Sequence, residues 1–343
     1  MSLSDYSSST ANWRLQLRHN ERRTRGVIAL FIAIYVVVGL LVDVFLLQST
    51  YPRLSIDQCF YLLITFTVPP YATLLMGGIA IVSLWVTYAM YDRLMLMGTD
   101  YHEITPETTN NLQEQQLYHV VEEMKVAAGL QFMPKVYVIE ANYMNAFASG
   151  YSEKSAMVAI TRGLMTKLDR AELQAVMAHE LSHIRHHDIK LTLTVAVLSN
   201  LLLMVIDMLF YSVIFGRNRR DNNQSNALVT VIIVLRYVLP LLTVILALFL
   251  SRTREYMADS GCVELMRDNE PMARALLKIQ DDHLQNSEQY SQEYGQTPHE
   301  QVRHAAYLFD PSDMDPVKSL NSAFSTHPSI MDRLKAIGFN KKS

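Results

Sequence analysis

The segment from His179 to His183, HELSH, carries two histidines and a glutamate at a spacing that can bind and use a metal ion. Four residues span about 6 Å of rise on an α-helix, so both imidazoles project from one face at a separation that one zinc ion can bridge. Glu180 lies about 100° further round the helix, where its carboxylate could accept a proton from zinc-bound water. The pattern predicts a hydrolytic zinc site with Glu180 as general base.

A third protein ligand decides whether this motif is a catalytic site or a chance arrangement on a surface helix. The stretch 252–259 offers Glu255 and Asp259, which share one helical face. Asp259 could accept the outer N–H of a zinc-bound imidazole and fix its tautomer, or it could be an ordinary surface acid. His186 and His187 are conceivable competing ligands, but we expect them to face solvent or lipid headgroups.

Asp207 and Arg236 are two charged residues inside apolar segments. They indicate that Glu255 and Asp259 lie near the HELSH motif. A charge in the membrane is costly unless it is paired, so we expect the two to form an ion pair. In a straight helical hairpin, that pairing places Glu255 and Asp259 within about one to two helical turns of His183.

Four apolar segments are long enough to cross a bilayer: 27–47, 72–91, 191–215 and 228–250. The polar residues 1–25 hold five arginines, which places the N-terminus in the cytoplasm. Pro69 and Pro70 break the chain ahead of the second span, which predicts a bent or interfacial piece there.

The polar loop 216–227 joins the last two spans into a hairpin. Its three arginines lie outside in a four-span topology, against the positive-inside rule. A hairpin that is only partly inserted, with its tip in the cytoplasm, would remove this conflict.

The remaining segments have a soluble character. Periodicity predicts a helix over 112–128 that ends at Gly129, and strands over 135–140 and 156–161 in an antiparallel sheet. Asp169, with a glutamate three residues later, is a predicted N-cap for the metal-motif helix, which we expect to run on into the membrane.

Residues 251–343 have a mainly helical pattern. A Gln/Ser/Tyr-rich stretch at 286–296 interrupts it and is interpreted as a loop.

Composition excludes several classes of protein. Half of the 343 residues are hydrophobic, which favours a membrane protein. The net charge of -3, the pI near 6.4 and the lack of a basic stripe interleaved with aromatics exclude nucleic acid as a partner. With only Cys59 and Cys262, neither a disulfide framework nor a Cys-rich metal site is expected.

Four motifs in this order resemble those of the HtpX-type heat-shock membrane proteases and their relatives, the CAAX prenyl endoproteases. They are Asn-Ala-Phe-Ala at 145–148, HELSH at 179–183, SRTREYMAD at 251–259, and Thr326-His327-Pro328 with Arg333. The resemblance covers about residues 23–337. The polar N-terminal tail and the tract 286–298 are longer than the family pattern.

The resemblance implies a role for each matching residue. The implied zinc ligands are His179, His183 and Glu255, the implied general base is Glu180, and the implied supporting residues are Asp259, His327 and Arg333. His327 would donate to the oxyanion, or it could be a packing or capping histidine. Arg333 would orient Glu255 or His327.

The resemblance also implies a substrate-binding strand. Asn145, Ala146, Phe147 and Ala148 would lie at the sheet edge and bind extended substrate backbone, with little dependence on its side chains.

We therefore expect an α+β fold in which a zincin-like metalloprotease domain is integrated into the membrane with about four transmembrane helices. Residues 1–25 would be a cytoplasmic tail, 26–91 transmembrane segments 1 and 2, and 191–250 a transmembrane hairpin. The catalytic domain would comprise residues 92–190 and 251–343.

The expected function is that of an endopeptidase with one zinc ion per chain, cleaving misfolded or damaged membrane proteins in protein quality control. The expected location is the bacterial inner membrane, with several spans and the catalytic domain facing the cytoplasm. The expected partners are protein or peptide substrates and the lipid bilayer.

Two alternatives remain open. A non-catalytic membrane receptor or scaffold with a structural zinc site would have no open coordination position. Prenyl-protein processing would need a lipid-sized chamber enclosed by more than four spans.

Overall fold

The computed structural model describes residues 3–8, 13–109, 111–150, 152–215, 225–297, 303, 306–309 and 327–341. Loop residues 216–224, with their three arginines, and Thr326 lie outside the described residues. The chain forms two compact units. The first comprises Met1–Thr24, Tyr88–Leu191 and Leu248–Ser343, and the second comprises Arg25–Thr87 and Thr192–Ala247.

The described helices and strands are numbered here in chain order. The helices are α1 Trp13–Thr50, α2 Ile56–Ile64, α3 Tyr71–Leu96, α4 Leu112–Ala128, α5 Arg162–Lys167, α6 Arg170–Arg185, α7 Asp188–Phe215, α8 Ser225–Met266, α9 Glu270–Gln285, α10 Ser287–Gln296 and α11 Ile330–Ala336. The strands are β1 Tyr6–Ser8, β2 Tyr101–Ile104, β3 Lys135–Ile139, β4 Ala146–Ser149, β5 Met157–Thr161 and β6 Phe339–Lys341.

Four of the described helices are long and apolar enough to cross a membrane. Their candidate spans are Arg14–Thr50, Tyr71–Met90, Asp188–Phe215 and Leu228–Met266. The four spans expected from hydropathy are therefore confirmed. Each helix extends beyond its apolar run, because helical hydrogen bonding does not stop where the hydrophobic composition does.

The piece before the second span is the short helix α2, which confirms the expected interruption. α3 then starts at Tyr71, where the carboxylate of Asp43 on α1 caps it. The backbone N–H groups of Ala72 and Thr73 donate to Asp43 at 2.7 and 3.0 Å, and the Thr73 hydroxyl donates at 2.7 Å. A buried acid inside an apolar span is thus satisfied by a helix N-terminus, where negative charge is favoured.

The ion pair expected within the hairpin is present, since the Arg236 guanidinium on α8 contacts the carboxylate of Asp207 on α7. Apolar side chains of α1, α3, α7 and α8 pack around the same region of the second unit. The fully buried ones include Val38, Leu202 and Ile232. The pair therefore fixes the register of the α7–α8 hairpin, as its position in the sequence predicts.

The first unit contains a four-stranded sheet of order β2-β3-β5-β4. β2 pairs antiparallel with β3, β3 parallel with β5, and β5 antiparallel with β4. The expectation of an antiparallel sheet is wrong for the central pair. The two strands read from the sequence are parallel neighbours because β4 lies between them in the chain and takes the edge position.

Local signals define the helices around the sheet. α4 covers the expected residues and ends at Gly129, whose φ of 72° suits the left-handed C-cap. α6 has the expected capping box, in which Asp169 accepts from the N–H of Glu172 and Glu172 accepts from the N–H of Asp169. α6 packs against β4, α4 and α9, so almost all of its residues from Leu173 to Ile184 are buried.

The expectation that the metal-motif helix runs on into the membrane is wrong. α6 ends at Arg185, His187 has a left-handed φ of 54°, and α7 starts afresh at Asp188. No glycine or proline marks this break in the sequence, and the contact that accompanies it joins Asp188 to His183, five residues apart.

The expectation of a loop at 286–296 is also wrong, because Ser287–Gln296 forms α10. Tyr290 and Tyr294, four residues apart, are buried on one face of it. The Tyr294 ring lies 4.0 Å from that of Tyr143, centroid to centroid, and the Tyr290 hydroxyl donates to Asp282 at 2.7 Å. Tertiary packing of two tyrosines therefore outweighs the polar composition of the segment.

α8 passes α6 at Gly261, which lies directly against the side chain of Ser182. A Cβ added to Gly261 would lie 1.9 Å from the Ser182 hydroxyl oxygen and 3.0 Å from the Ser182 Cβ. Ser182 belongs to HELSH, so the absent side chain of Gly261 lets the end of α8 approach the motif.

The ion pair between Asp207 and Arg236 predicts energetic coupling. In a double-mutant cycle of Asp207→Ala and Arg236→Ala, we expect a coupling energy of about 0.6–1.7 kcal/mol, measured by unfolding in mixed micelles. Tyr237→Ala serves as the control partner, because Tyr237 is exposed and forms no ion pair. Strict additivity of the Asp207 and Arg236 substitutions would contradict the pairing.

The close approach at Gly261 predicts that Gly261→Ala destabilises the protein by about 1–3 kcal/mol through overpacking. The measurement is thermal unfolding in detergent. The control is Gly295→Ala in α10, where an added Cβ meets nothing within 4 Å and should stabilise the helix by about 0.5–1 kcal/mol. Equal behaviour of the two variants would show that the crossing tolerates a side chain.

Candidate metal and active site

The last two turns of α6 carry three buried titratable side chains. His179, Glu180 and His183 are 0%, 1% and 7% exposed. Burying polar groups is costly unless they are hydrogen-bonded or bind an ion. Their presence in a buried part of the helix therefore marks a site with a chemical role.

α8 adds Glu255 to this pair of histidines. The ligand atoms of His179, His183 and Glu255 all lie within 4.8 Å of one another. The two Nε2 atoms are 3.2 Å apart, and each lies 3.5–3.6 Å from a carboxylate oxygen of Glu255. The three side chains that the sequence analysis named as zinc ligands therefore lie close enough together to hold one metal ion.

The outer nitrogen of each histidine is held by a carboxylate. Nδ1 of His179 is 3.0 Å from Asp259 Oδ1, and Nδ1 of His183 is 2.9 Å from Asp188 Oδ2. A carboxylate can only accept, so each Nδ1–H donates and each neutral ring presents a bare lone pair at Nε2. Two such lone pairs facing each other at 3.2 Å repel unless a cation lies between them, so the donor set fits a metal ion.

Asp188 was missed in the sequence reasoning. It follows His183 by five residues, a separation that points to opposite sides of a continuous helix. The break at His186 and His187 brings it back to the imidazole. An acid immediately after a possible helix end was the available signal, and Arg254, whose Nε lies 3.9 Å from it, adds an opposite charge.

Asp259 is fixed from the other side by Arg333 of α11. The guanidinium donates to both carboxylate oxygens, at 3.0 Å from Nε and 2.7 Å from Nη2. It also lies 3.8 Å from Glu255 Oε2 and donates to the carbonyl of Leu308 at 2.8 Å. The main partner of Arg333 is thus Asp259, whereas the sequence reasoning named Glu255 or His327.

The imidazole of His179 has a strong affinity for a proton. Burial lowers its pKa, but hydrogen bonds with Asp259 and Glu255 outweigh burial and raise the pKa to about 9. The protonated form therefore stabilises the fold at pH values below the ordinary value of 6.5, and this contribution is lost as the pH rises through about 9. A cation that binds at Nε2 has to displace this proton.

Glu180 differs from the other acids of the site. Neither of its carboxylate oxygens has a hydrogen-bond partner within the described part of the chain. Burial raises the pKa of this carboxyl, while the neighbouring His179 and His183 act in the opposite direction. A buried carboxylate beside the ligand cluster, with free lone pairs and a raised pKa, is suited to exchange a proton there.

His327 is the last of the predicted site residues that the structure brings to this cluster. It is 4% exposed, and its Nδ1 lies 3.5 Å from Glu255 Oε2. His186 and His187 do not join the cluster. His186 is half-buried, with Nδ1 3.3 Å from the Ser182 hydroxyl, and His187 is exposed.

Residues Asn145–Ala148 are buried and include the first three residues of the edge strand β4. A short C-terminal tract lies along this edge. The N–H of Leu308 donates to the carbonyl of Ala146 at 2.9 Å, and the Asn145 side chain exchanges two hydrogen bonds with the backbone of Phe309. The outward-facing carbonyl of Ala146 is thus already hydrogen-bonded to another part of the same chain. The sequence alone did not indicate this contact.

Comparisons with known proteins agree with this geometry. The model of peptidase family M48 matches residues 111–339. A "Protease HtpX homolog" from Helicobacter acinonychis (strain Sheeba) is 40% identical over 326 residues, covering 95% of this chain and 98% of that protein. Another, from Dictyoglomus thermophilum, is 34% identical over 298 residues, covering 84% of this chain and 91% of that protein.

Among solved structures, the crystal structure of S. mikatae Ste24p has a TM-score of 0.48 at 16% identity, covering 97% of this chain and 68% of that chain. The family model and the relatives confirm the resemblance read from the motifs. The chain belongs to peptidase family M48 and is a multi-pass membrane metalloendopeptidase that acts on protein substrates.

Proposed function

We propose that this peptidase uses one zinc ion per chain to cleave internal peptide bonds of misfolded or damaged membrane proteins. The observation that carries the proposal is the pair of buried Nε2 lone pairs of His179 and His183, directed at each other beside Glu255. Two imidazoles and one carboxylate leave a fourth position open, which is typical of catalytic zinc and untypical of structural zinc.

The spacing of the ligand atoms suits zinc. A tetrahedral ion with bonds of about 2.0–2.1 Å holds its ligand atoms roughly 3.3–3.4 Å apart. The two Nε2 atoms here are 3.2 Å apart, and the Glu255 carboxylate places Oε2 3.6 Å from Nε2 of His179 and Oε1 3.5 Å from Nε2 of His183. When bound, zinc would supply Lewis acidity, polarising the scissile carbonyl and lowering the pKa of a water molecule.

Glu180 is the proposed general base. Its unpartnered, buried carboxylate lies beside the ligand cluster, and burial raises its pKa, which makes the carboxylate a better proton acceptor. It would take the proton of the attacking water and pass it to the departing amine.

Asp259 and Asp188 are the proposed orienting residues for the two zinc-binding imidazoles. Each accepts the Nδ1–H of one ring, which fixes the tautomer and makes Nε2 a better ligand. Arg333 holds Asp259 through a two-pronged hydrogen bond, so its contribution to the site is positional.

His327 is proposed to stabilise the oxyanion that forms on the scissile carbonyl. It is buried next to Glu255, in a region where a donated hydrogen bond is strong because water is largely excluded. Its Nδ1 lies 3.5 Å from Glu255 Oε2, so the imidazole is next to the proposed metal position.

Substrate backbone is proposed to pair with the outer edge of β4, as expected for residues 145–148. Backbone groups alternate in direction along a strand, so Ala146 and Ala148 both direct theirs outward. Since Leu308 already bonds to Ala146, the proposed pairing position is Ala148. Recognition through backbone groups would suit substrates that share an unfolded state rather than a sequence.

The proposed topology places the first unit in the cytoplasm as the catalytic domain, assembled from residues 92–190 and 251–343. Residues 26–91 and 191–250 would form the membrane part. Five arginines within residues 1–25 support a cytoplasmic N-terminus, and the bacterial sources of the similar proteases support an inner-membrane location.

Glu180→Gln tests the proposed chemistry. We expect the variant to bind zinc stoichiometrically and to lose chelator-sensitive cleavage of casein or of a membrane substrate by about 10²–10⁴-fold. Glu122→Gln, at an exposed position on α4, is the matched control and should keep full activity. Unchanged activity in Glu180→Gln with zinc bound would refute the assignment of the base. If the zinc site were only structural, neither Glu180→Gln nor Glu122→Gln would cleave the substrate.

Asp188→Asn tests the orienting carboxylate that the structure adds. Its amide is a weaker acceptor for the His183 N–H, so we expect zinc affinity to fall about 10–100-fold, measured by competition with a chromophoric chelator. Asp100→Asn, at an exposed position in the same unit, should leave the affinity unchanged. Equal zinc affinities in the two variants would remove Asp188 from the site.

A further inference from the structure

A cavity of about 750 Å³ lies in the first unit, formed by the start of α1, by Tyr256 of α8 and by the end of α11. Its volume is in the range of pockets that bind small molecules. None of the residues in HELSH line it, so it is separate from the metal site. We call it the basic pocket.

The charge of the basic pocket is strongly one-sided. Four cationic side chains line it, namely Arg18, Arg22, Arg23 and Lys335, against one carboxylate, that of Asp332. Asp332 accepts a hydrogen bond from the Ser329 hydroxyl at 2.7 Å, within the N-terminal cap of α11. The pocket therefore has an excess of positive charge that favours an anion.

Three of these cations are available to a ligand. Arg18, Arg22 and Lys335 are exposed and form no ion pair within the described part of the chain. Arg23 lies over the ring of Phe249, 5.6 Å from its centroid, which fixes its direction. Guanidinium groups bind phosphate through paired hydrogen bonds, so the composition of the pocket favours a phosphate group over a carboxylate.

The walls of the pocket are fixed by hydrogen bonds. Gln16 of α1 donates to the carbonyl of Ala336 at 2.8 Å and accepts from the Ser260 hydroxyl at 3.0 Å. One side chain thus joins α1, α8 and α11. Asn20, one turn further along α1, also lines the pocket and is only 5% exposed.

The position of the pocket along α1 indicates where the anion comes from. The apolar run of α1 begins at Val27, four and five residues after Arg23 and Arg22, which is about 6–8 Å along the helix. The polar headgroup layer on each side of a bilayer is roughly 5–8 Å thick. The two arginines therefore lie at the depth of lipid phosphates if the apolar run starts at the hydrocarbon boundary.

We propose that the basic pocket binds the phosphate of an anionic phospholipid headgroup, with Arg18, Arg22 and Lys335 as its principal ligands. Such a site attracts lipids of net negative charge more strongly than zwitterionic lipids. A zwitterionic headgroup has no net charge, so it does not neutralise the excess positive charge of the pocket. The proposal is independent of the chemistry assigned to Glu180.

The basic pocket shares two elements with the metal site. Tyr256 follows Glu255 on α8, and Asp332 and Lys335 flank Arg333 on α11. An anion that bridges Lys335 to the arginines of α1 would hold α11 in place, and with it the contact of Arg333 to Asp259. Anionic lipid would therefore stabilise the first unit and the alignment of His179.

The test uses the full-length Glu180→Gln protein in detergent, so that the result does not depend on proteolysis. Short-chain phosphatidylglycerol, short-chain phosphatidylcholine and inorganic phosphate are titrated separately while thermal unfolding is followed. We expect phosphatidylglycerol at about ten times its dissociation constant to raise the Tm by about 3–5 °C, and phosphatidylcholine and inorganic phosphate to raise it by less than 1 °C.

A triple variant, Arg18→Gln with Arg22→Gln and Lys335→Gln, should lose the shift caused by phosphatidylglycerol. The control carries the same change of charge at Lys125→Gln, Lys135→Gln and Lys154→Gln in the first unit, outside the pocket, and should keep the shift. Retention of the shift in the pocket variant, or its loss in the control, would overturn the proposal. An equal shift with inorganic phosphate would show a free-anion site and overturn the lipid assignment, and no shift in the parent protein would overturn the site.

Discussion

The repulsion between two imidazole lone pairs is the constraint on which the site depends. Asp259 and Asp188 each hold the Nδ1–H of one histidine, so the Nε2 atoms of His179 and His183 face each other 3.2 Å apart in a buried space. The arrangement is stable only with a positive charge between them, supplied by a proton or a metal ion. A metal ion bound at this point would therefore also stabilise the fold.

That constraint explains why the site needs three separate parts of the chain. α6 can place two imidazoles and Glu180 on adjacent faces, but it cannot supply the carboxylate ligand or the acceptors for the outer nitrogens. α8 supplies Glu255 and Asp259 one turn apart, and the start of α7 supplies Asp188. The long helix α8 begins among the residues of the second unit and ends among those of the first, and it includes both Arg236 and Glu255.

Features encoded locally could be read from the sequence. The capping box at Asp169, the glycine end of α4 and the four apolar spans each depend on a few neighbouring residues, and the structure has them where expected. The ion pair of Asp207 and Arg236 could also be predicted, because a charged side chain inside an apolar span has no water to solvate it and needs a partner of opposite charge. The ligand trio followed from spacing together with the family resemblance.

Features that depend on distant contacts could not be read in this way. β3 and β5 are parallel neighbours because β4 lies at the edge of the sheet. The helix α10 depends on the packing of Tyr290 and Tyr294 in a buried cluster with other aromatic side chains. The contact of Leu308 with Ala146 joins residues 162 positions apart. Hydrophobic periodicity carries no information about such partners, since it reports the environment of a residue and not its neighbour.

The break between α6 and α7 combines a strained backbone conformation at His187 with a favourable contact in the site. On a continuous helix, Asp188 would lie about 140° round the axis from His183 and could not reach its Nδ1. The left-handed φ of 54° at His187 costs roughly 1–2 kcal/mol for a residue with a side chain, and it turns the chain so that Asp188 lies 2.9 Å from that nitrogen. A hydrogen bond between an imidazole and a carboxylate in a buried place contributes about 1.5–3 kcal/mol, enough to offset the strain. The helix therefore ends at Arg185 because of the histidine it carries, and a rule that considers only propensity and periodicity would continue it.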